Sequence, residues 1–169
     1  QDLNHALDII DNDSKYSVIV LTGVGKAFAA GADIKEMMSK SFQNVIEEDF
    51  IKPWEKISGI TKPTIAAVNG YALGGGCELA MMCDLLIANE NAKFGQTGPK
   101  VGSFDGGWGA SYMARVIGQK RAREIWFLCR LYDAKKAYDW GLVNEVVPYK
   151  NLEKVTVDWC NEILEKSPL

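Results

Sequence analysis

Four short, almost uninterrupted apolar runs constrain the fold of this chain more than any other feature. Runs of this length without polar alternation are typical of parallel strands that are covered on both faces. They occupy residues 17–21, 64–68, 84–88 and 142–147. Helical patterns lie between them, and this alternation predicts an α/β fold in which parallel sheets are flanked by helices and joined by right-handed crossovers.

The helical patterns differ in length and in how strongly one face is apolar. The last one is clearly amphipathic, and one of the others carries Pro53, which predicts a break or kink there. The predicted helices cover residues 3–10, 42–57, 75–83, 115–128, 134–140 and 152–164. No interdomain linker separates them, so we expect residues 1–169 to form a single domain.

The charge and the apolar distribution exclude two classes of partner. A net charge of −3 over 169 residues argues against a nucleic-acid partner and against a polybasic membrane patch. No apolar run is long enough to span a membrane, and residue 1 opens no secretory signal. We therefore expect neither a nucleic-acid nor a membrane partner.

Cysteine and histidine usage limits the chemistry further. The four cysteines form no CxxC pair and lie in apolar stretches, which predicts buried reduced thiols and a reducing compartment, the cytoplasm or the mitochondrial matrix. They are Cys77, Cys83, Cys129 and Cys160. His5 is the only histidine, which rules out an HExxH zinc site, and its place on the opening helix argues against a Ser-His-Asp triad; we expect no metal.

Two glycine-rich turns, at residues 28–33 and 70–76, each follow a predicted strand. Glycines let backbone N–H groups approach a ligand closely, and the second turn leads into a predicted helix, whose N-terminus carries a partial positive charge. Two such N–H donors could form an oxyanion hole for a thioester carbonyl. The alternative is that the glycines serve only tight packing of helix against strand.

Glu78 lies on the short apolar helix that follows the second turn, next to Gly74, Gly75, Met81 and Met82 at helical spacing. A carboxylate on such a face is costly unless it is hydrogen-bonded or faces a site. Burial would raise its pKa, which suits a general acid or base near neutral pH. The alternative is an exposed glutamate at the edge of the helix.

A long loop, residues 94–108, is rich in glycine and small polar groups, and loops of this length within a compact domain are usually functional. Asp105, before two glycines, could act in a site or serve as a helix N-cap. Trp126, further along in an apolar helical stretch, could belong to a site or to the core.

On these residues the chain resembles the crotonase superfamily over nearly its whole length. The first half is similar to enoyl-CoA hydratases through KAFAAGADIKEM at 26–37 and GGGCELA at 74–80. From residue 94 onward it is similar to 1,4-dihydroxy-2-naphthoyl-CoA synthases, through FGQTGPKVGSFDGGW at 94–108, SYMAR at 111–115 and REIWFLCR at 123–130.

The resemblance implies a ClpP-like spiral of ββα units, assembled as a homotrimer or hexamer, with further family segments beyond both chain ends. It implies an oxyanion hole from the N–H groups of Ala32 and Gly75, and coenzyme A bound as part of an acyl-CoA substrate with no tightly bound cofactor. The coenzyme A arm would lie along Lys26, Ala27, Phe28 and Ala30.

The two halves imply different reactions. A hydratase uses two glutamates; Glu78 matches the first, but Gly98 stands at the second. Naphthoyl-CoA synthases include a class with glycine there, in which a bound bicarbonate replaces the carboxylate; the resemblance assigns its surroundings to Gln96, Thr97, Gly98 and Trp126. In that class Ser103 and Asp105 match residues that handle protons during an intramolecular Claisen condensation. Two features depart from that family. One is the segment that follows Asp33, and the other is Glu78, which stands where that family has an apolar residue.

Three functions therefore stay open. The first is a bicarbonate-assisted naphthoyl-CoA synthase, as in menaquinone biosynthesis, in which bicarbonate is the base and Ser103 and Asp105 manage the proton on the acceptor side. The second is an enoyl-CoA hydratase of fatty-acid β-oxidation that relies on Glu78. The third, from another class, is a chimeric or non-catalytic scaffold that binds coenzyme A without turnover.

Overall fold

The computed structural model describes residues 2–31, 33, 35, 38, 43, 55–103 and 109–167. Its helices are α1 (Asp2–Asn12), α2 (Gly75–Met82), α3 (Tyr112–Ile117), α4 (Gln119–Leu128), α5 (Ala134–Asp139) and α6 (Leu152–Leu164). Its strands are β1 (Ile19–Thr22), β2 (Ala27–Ala29), β3 (Thr64–Val68), β4 (Tyr71–Leu73), β5 (Leu85–Asn89), β6 (Lys93–Gly95), β7 (Tyr132–Asp133) and β8 (Glu145–Val147). Single 3₁₀ turns lie at Lys56–Gly59, Gly98–Val101 and Tyr149–Asn151.

The four predicted apolar runs form one parallel sheet, in the order β1-β3-β5-β8. The central strand β3 is buried at all five of its positions, as expected for a strand covered on both faces. Within this sheet Ile65 pairs with Leu85, and Ile87 pairs with Glu145. The α/β prediction with a parallel sheet is confirmed.

A second sheet, in the order β2-β4-β6-β7, consists of very short strands. The first three are parallel, and β7 runs antiparallel to β6. The chain alternates between the two sheets. Strands β1, β3 and β5 of the first sheet are followed in sequence by β2, β4 and β6 of the second, respectively. This second sheet was not predicted from the sequence, because strands of two or three residues are too short to show a period.

Helices cover both faces of the first sheet. On one face a large core forms around α2, with Phe94 and Met113 fully buried within it. On the other face the apolar side of α6 packs against β3 and β5, where Leu152 joins Ile65 and Ile87 in a smaller core. The amphipathic pattern of residues 152–164 correctly predicted this helix and its bounds.

The other helical predictions had mixed outcomes. The helix predicted at 115–128 is two helices, α3 and α4, because Gly118 between them has a φ of 84°. The predicted 42–57 segment lies mainly outside the described residues. All four cysteines are free thiols; Cys160 is half-buried and the other three are buried. Within the described residues, none of the helices combines the length and the apolar character that crossing a bilayer requires.

Candidate active site

The second glycine-rich turn brings β4 directly into α2 and leaves a backbone donor at its start. Gly74 has φ 53° and ψ −126°, a conformation that residues with a Cβ rarely adopt, and its N–H donates to the carbonyl of Gly95 over 2.9 Å. Gly75 is the first residue of α2, so its N–H has no partner within the helix. Among the described residues, no group accepts a hydrogen bond from it.

The first turn, after β2, runs against the beginning of α2. A Cβ built on Gly31 would lie 3.9 Å from the backbone nitrogen of Gly75. The two turns that the sequence analysis singled out are therefore neighbours in space. Gly75, the predicted first donor of the oxyanion hole, lies where the two turns meet, and its role stays a prediction. Ala32, the predicted second donor, lies outside the described residues.

Gly76 shows that the same glycines also serve packing. A Cβ at this position would lie 2.0 Å from the carbonyl oxygen of Ala29, so α2 can approach β2 only because residue 76 has no side chain. The packing alternative for the triglycine is therefore confirmed at Gly76, and the oxyanion-hole role of Gly75 stays a prediction. Gly74 makes the turn, Gly75 presents its N–H, and Gly76 lets the helix pack against the strand.

Glu78 is buried and hydrogen-bonded, one turn along α2 from Gly75. Only 4% of the surface of Glu78 is exposed to solvent, and its Oε1 accepts a hydrogen bond from the N–H of Gly109 over 2.9 Å. A buried carboxylate requires such a donor. The alternative of an exposed glutamate at a helix edge is wrong.

Gly109 joins Glu78 to two of the residues assigned to the predicted bicarbonate pocket. A Cβ on Gly109 would lie 2.2 Å from Oε1 of Glu78 and 2.9 Å from Nε2 of Gln96. The indole N–H of Trp126 donates to the carbonyl of Gly109 over 3.3 Å. Glu78, Gln96 and Trp126 therefore meet around one backbone position.

The remaining residues of the predicted bicarbonate pocket lie on the segment that follows β6. Gln96 is fully buried, Thr97 is half-buried, and buried Gly98 opens the 3₁₀ turn Gly98–Val101. The N–H of Ser103 donates to the carbonyl of Gly98 over 3.0 Å, which folds this segment back on itself. Asp105, the other predicted proton-handling residue, lies outside the described residues.

The predicted coenzyme A segment lies on and beside β2, which leads into the first turn. Ala27 and Phe28 are half-buried in this strand, and Lys26 and Ala30 are exposed at its ends. The carbonyl of Lys26 accepts a hydrogen bond from Tyr71 over 3.1 Å, which fixes β2 beside β4. These residues are placed where a ligand could run along the surface toward Gly75, but their binding role stays a prediction.

Sequence reasoning missed Gly109, although it touches three of the predicted residues. The signal was the glycine-rich composition around residues 102–109, which does not distinguish one glycine from another. As for metals, the described residues contain no group of three or more histidine, cysteine, aspartate or glutamate side chains that could hold an ion.

This arrangement combines two chemical capacities. An N–H at a helix N-terminus can stabilise negative charge that develops on a carbonyl oxygen. A carboxylate held one turn further along the same helix can accept or donate a proton beside that carbonyl. Together they fit reactions that pass through an enolate.

Comparison with known proteins agrees with this chemistry. The enoyl-CoA hydratase/isomerase family profile matches residues 1–169. Enoyl-CoA hydratase subunit I of Geobacillus kaustophilus HTA426 superposes with a TM-score of 0.94 at 39% identity, over 98% of this chain and 64% of that one. An enoyl-CoA hydratase from Bacillus anthracis gives a TM-score of 0.91 at 36% identity, over 99% and 66% of the two chains.

A third similar structure is an enoyl-CoA hydratase/carnitine racemase from Magnetospirillum magneticum. It gives a TM-score of 0.90 at 30% identity, over 99% of this chain and 64% of that one. The chain thus spans about two thirds of the length of the solved structures that it matches.

Proposed function

Since this chain belongs to the enoyl-CoA hydratase/isomerase family of the crotonase superfamily, we propose that it binds an acyl-CoA thioester and stabilises the enolate made from it. The observation that carries the proposal is the pairing on α2 of the Gly75 N–H with the buried Glu78 carboxylate. The thioester oxygen would accept a hydrogen bond from Gly75, and a second one from the N–H of Ala32.

Hydration of a 2-enoyl-CoA is the reaction that this pairing supports best. The Glu78 carboxylate takes a proton from water while the water oxygen bonds to the β-carbon. The electron pair of the double bond moves onto the thioester oxygen, where the Gly75 N–H stabilises the enolate. Return of the proton to the α-carbon completes the 3-hydroxyacyl-CoA. Gly98 supplies no second carboxylate, so Glu78 alone would hold the water.

A bicarbonate-assisted Claisen condensation, as in naphthoyl-CoA synthases, is the second candidate. The observation in its favour is that the buried amide of Gln96 and the indole of Trp126 meet at Gly109. Buried Gly98 follows Gln96 by two residues. Bicarbonate there, with Thr97 nearby, would remove the proton next to the thioester. Ser103 and Asp105 would manage the proton on the carbonyl that the enolate attacks.

The first test is hydration of crotonyl-CoA, followed by loss of the absorbance of the enoyl thioester. We expect Glu78→Gln to lower turnover by about 10²- to 10⁴-fold, because the amide cannot accept the proton. Glu90→Gln is the matched control, since Glu90 is an exposed carboxylate in a turn outside the site. Unchanged hydration in Glu78→Gln would remove Glu78 from the mechanism.

Gly98→Glu separates the two candidate reactions. If the enzyme is a hydratase, the new carboxylate helps to hold the water, and crotonyl-CoA hydration rises. If it is a naphthoyl-CoA synthase, the new side chain fills the bicarbonate pocket, and turnover of the aromatic acyl-CoA precursor is lost. Wild-type turnover of that precursor should then increase with added bicarbonate. Binding of acyl-CoA without turnover of any thioester would leave only the non-catalytic scaffold that binds coenzyme A.

A further inference from the structure

The turn between β1 and β2, residues 23–26, buries little apolar surface at its tip. The side chain of Val24 is almost fully in solvent, with 97% of the residue exposed. Gly25 has a φ of 73°, in the left-handed region that favours glycine, and a Cβ on it would meet nothing within 4 Å. Hydrophobic packing therefore does not fix the tip of this turn, and polar contacts must do so.

Asn69, which directly follows β3, makes those polar contacts. Its Oδ1 accepts a hydrogen bond from the N–H of Gly23 over 3.1 Å, and its Nδ2 donates to the carbonyl of Gly25 over 3.1 Å. Both polar groups of one side-chain amide are thus used on the same turn. The contact spans 46 residues of sequence and is possible because β1 and β3 are neighbours in the first sheet.

Two glycines let the turn and the residue after Asn69 pack without any side chain between them. A Cβ on Gly23 would lie 2.1 Å from the carbonyl oxygen of Ala27. A Cβ on Gly70 would lie 2.1 Å from the carbonyl oxygen of Lys26. Since β2 begins at Ala27 and β4 begins one residue after Gly70, the contacts of Asn69 set where β2 begins beside β4.

The relative position of β2 and β4 is important for the candidate active site. The predicted coenzyme A segment lies on and beside β2, and β4 leads into Gly75, the predicted donor to the thioester oxygen. The coenzyme A arm and the thioester are parts of one molecule, so the distance between them is limited by covalent bonds. Displacement of β2 along β4 would therefore weaken the binding of one part when the other is in place.

We propose that Asn69 is a positioning residue for the acyl-CoA. It holds the turn at residues 23–26 so that the segment 26–30 contacts the coenzyme A arm while Gly75 binds the thioester oxygen. The inference rests on the proposed function, because it needs an acyl-CoA at this site, but Asn69 itself need not touch the ligand. Without its two hydrogen bonds the turn would have to become ordered on binding, and that ordering costs affinity.

The first test measures binding of butyryl-CoA, a saturated thioester, by calorimetry. We expect Asn69→Ala to raise the dissociation constant about tenfold, because the turn is no longer ordered in advance. Asn69→Asp should raise it as well, since a carboxylate cannot donate to the Gly25 carbonyl. Asn144→Ala is the matched control, because the Asn144 Oδ1 accepts from the N–H of Leu86 over 2.8 Å at the opposite end of the same sheet. It should lower the unfolding free energy and leave the dissociation constant unchanged.

The second test separates positioning from a general loss of structure. It compares hydration of crotonyl-CoA with that of crotonyl-N-acetylcysteamine, which keeps the reacting carbons and lacks most of the coenzyme A arm. For crotonyl-CoA, Asn69→Ala should lower kcat/KM about tenfold through KM, with kcat unchanged, because the arm binds equally in the ground state and the transition state. The short thioester should react with the variant as it does with the wild type.

Three outcomes would overturn the assignment of Asn69 while the proposed function stands. They are unchanged butyryl-CoA binding in both Asn69 variants, an equal loss of kcat/KM for the two crotonyl thioesters, and equal weakening of binding in Asn144→Ala. Failure of the wild-type protein to bind butyryl-CoA would remove the proposed function, and this inference with it.

Discussion

Gly109 determines how the candidate catalytic carboxylate is held. Its N–H donates to Glu78 and its carbonyl accepts from Trp126, so one peptide segment positions both side chains. An added Cβ would lie 2.2 Å from Oε1 of Glu78, which is the free end of a side chain and not backbone. A side chain at residue 109 would therefore displace the carboxylate, and the backbone need not move.

We accordingly expect Gly109→Ala to lower both stability and activity. Displacement of the carboxylate breaks a hydrogen bond to a charged group, a loss of about 1.5–3 kcal/mol in unfolding free energy. Hydration should fall about tenfold or more, because the proton-transfer geometry is lost. Urea denaturation and steady-state kinetics measure the two effects.

Gly59→Ala is the control for that change, since a Cβ there meets nothing within 4 Å. It should leave both quantities unchanged. Full activity in Gly109→Ala would show that the orientation of Glu78 does not depend on this residue.

The sequence predicted some of these residues and could not predict others. Glu78 stood out because a carboxylate on an apolar helix needs an explanation. Gln96 was assigned only through the family resemblance, since a glutamine in a polar loop carries no signal of full burial. Gly109 is one of 16 glycines, and only its position in space distinguishes it. The roles of Ala32 and Asp105 stay predictions.

At the scale of elements, Asp133 connects the end of β7 to the beginning of α5. Its carboxylate accepts a hydrogen bond from the N–H of Lys136 over 2.8 Å and so caps the helix. The first N–H groups of a helix have no partner within the helix. Because α5 has only six residues, the hydrogen bond from the Lys136 N–H to Asp133 is a large part of what stabilises its N-terminus.

Asp133→Ala should therefore lower the unfolding free energy by about 1 kcal/mol, as measured by urea denaturation. Lys135→Ala is the matched control in the same helix. The Lys135 ammonium pairs with Asp139 at 2.8 Å, but this ion pair is exposed, so its loss should not be measurable. An equal effect of both substitutions would show that the cap contributes nothing specific.

The predictability of elements followed their length. The five buried residues of β3 gave a clear apolar run, and the thirteen residues of α6 gave a clear helical period. The three residues of β4 lie inside a glycine-rich segment, where only pairing with β2 and β6 makes them a strand. The break between α3 and α4 depends on the backbone conformation of Gly118, which propensity alone did not identify.

At the scale of the whole molecule, a buried thiol links stability to pH. Burial raises the pKa of Cys83 from 9.0 to about 12, a nearby hydrogen bond to Thr64 opposes this shift, and the charge of Asp84 adds to it. The folded protein thus keeps a proton that the unfolded chain releases above pH 9. The contribution of the Cys83 thiol to the unfolding free energy is therefore complete below pH 9 and is lost as the pH rises toward 12.

We expect the unfolding free energy to decline above pH 9, with Cys83 contributing up to about 1.4 kcal/mol per pH unit. Urea denaturation between pH 8 and pH 11 would measure this slope. Cys83→Ala should make the slope shallower, whatever its effect on stability at pH 8. Cys160→Ala is the control, because that thiol is only half-buried and should change the slope less. Identical slopes in all three proteins would contradict the assignment.

The strand order of the large parallel sheet has a consequence for biosynthesis. The N–H of Leu86 donates a hydrogen bond to the side chain of Asn144, which lies 58 residues later in the sequence. The hydroxyl of Thr22 donates one to the carbonyl of Ala67, 45 residues later. Contacts between residues so far apart in sequence require the closure of long loops, which costs conformational entropy before the contacts are made. We therefore expect folding to be slow. While the chain is being translated, the edge of β5 has no neighbour until β8 leaves the ribosome, and an unpaired apolar edge of this kind can recruit strands from other nascent chains.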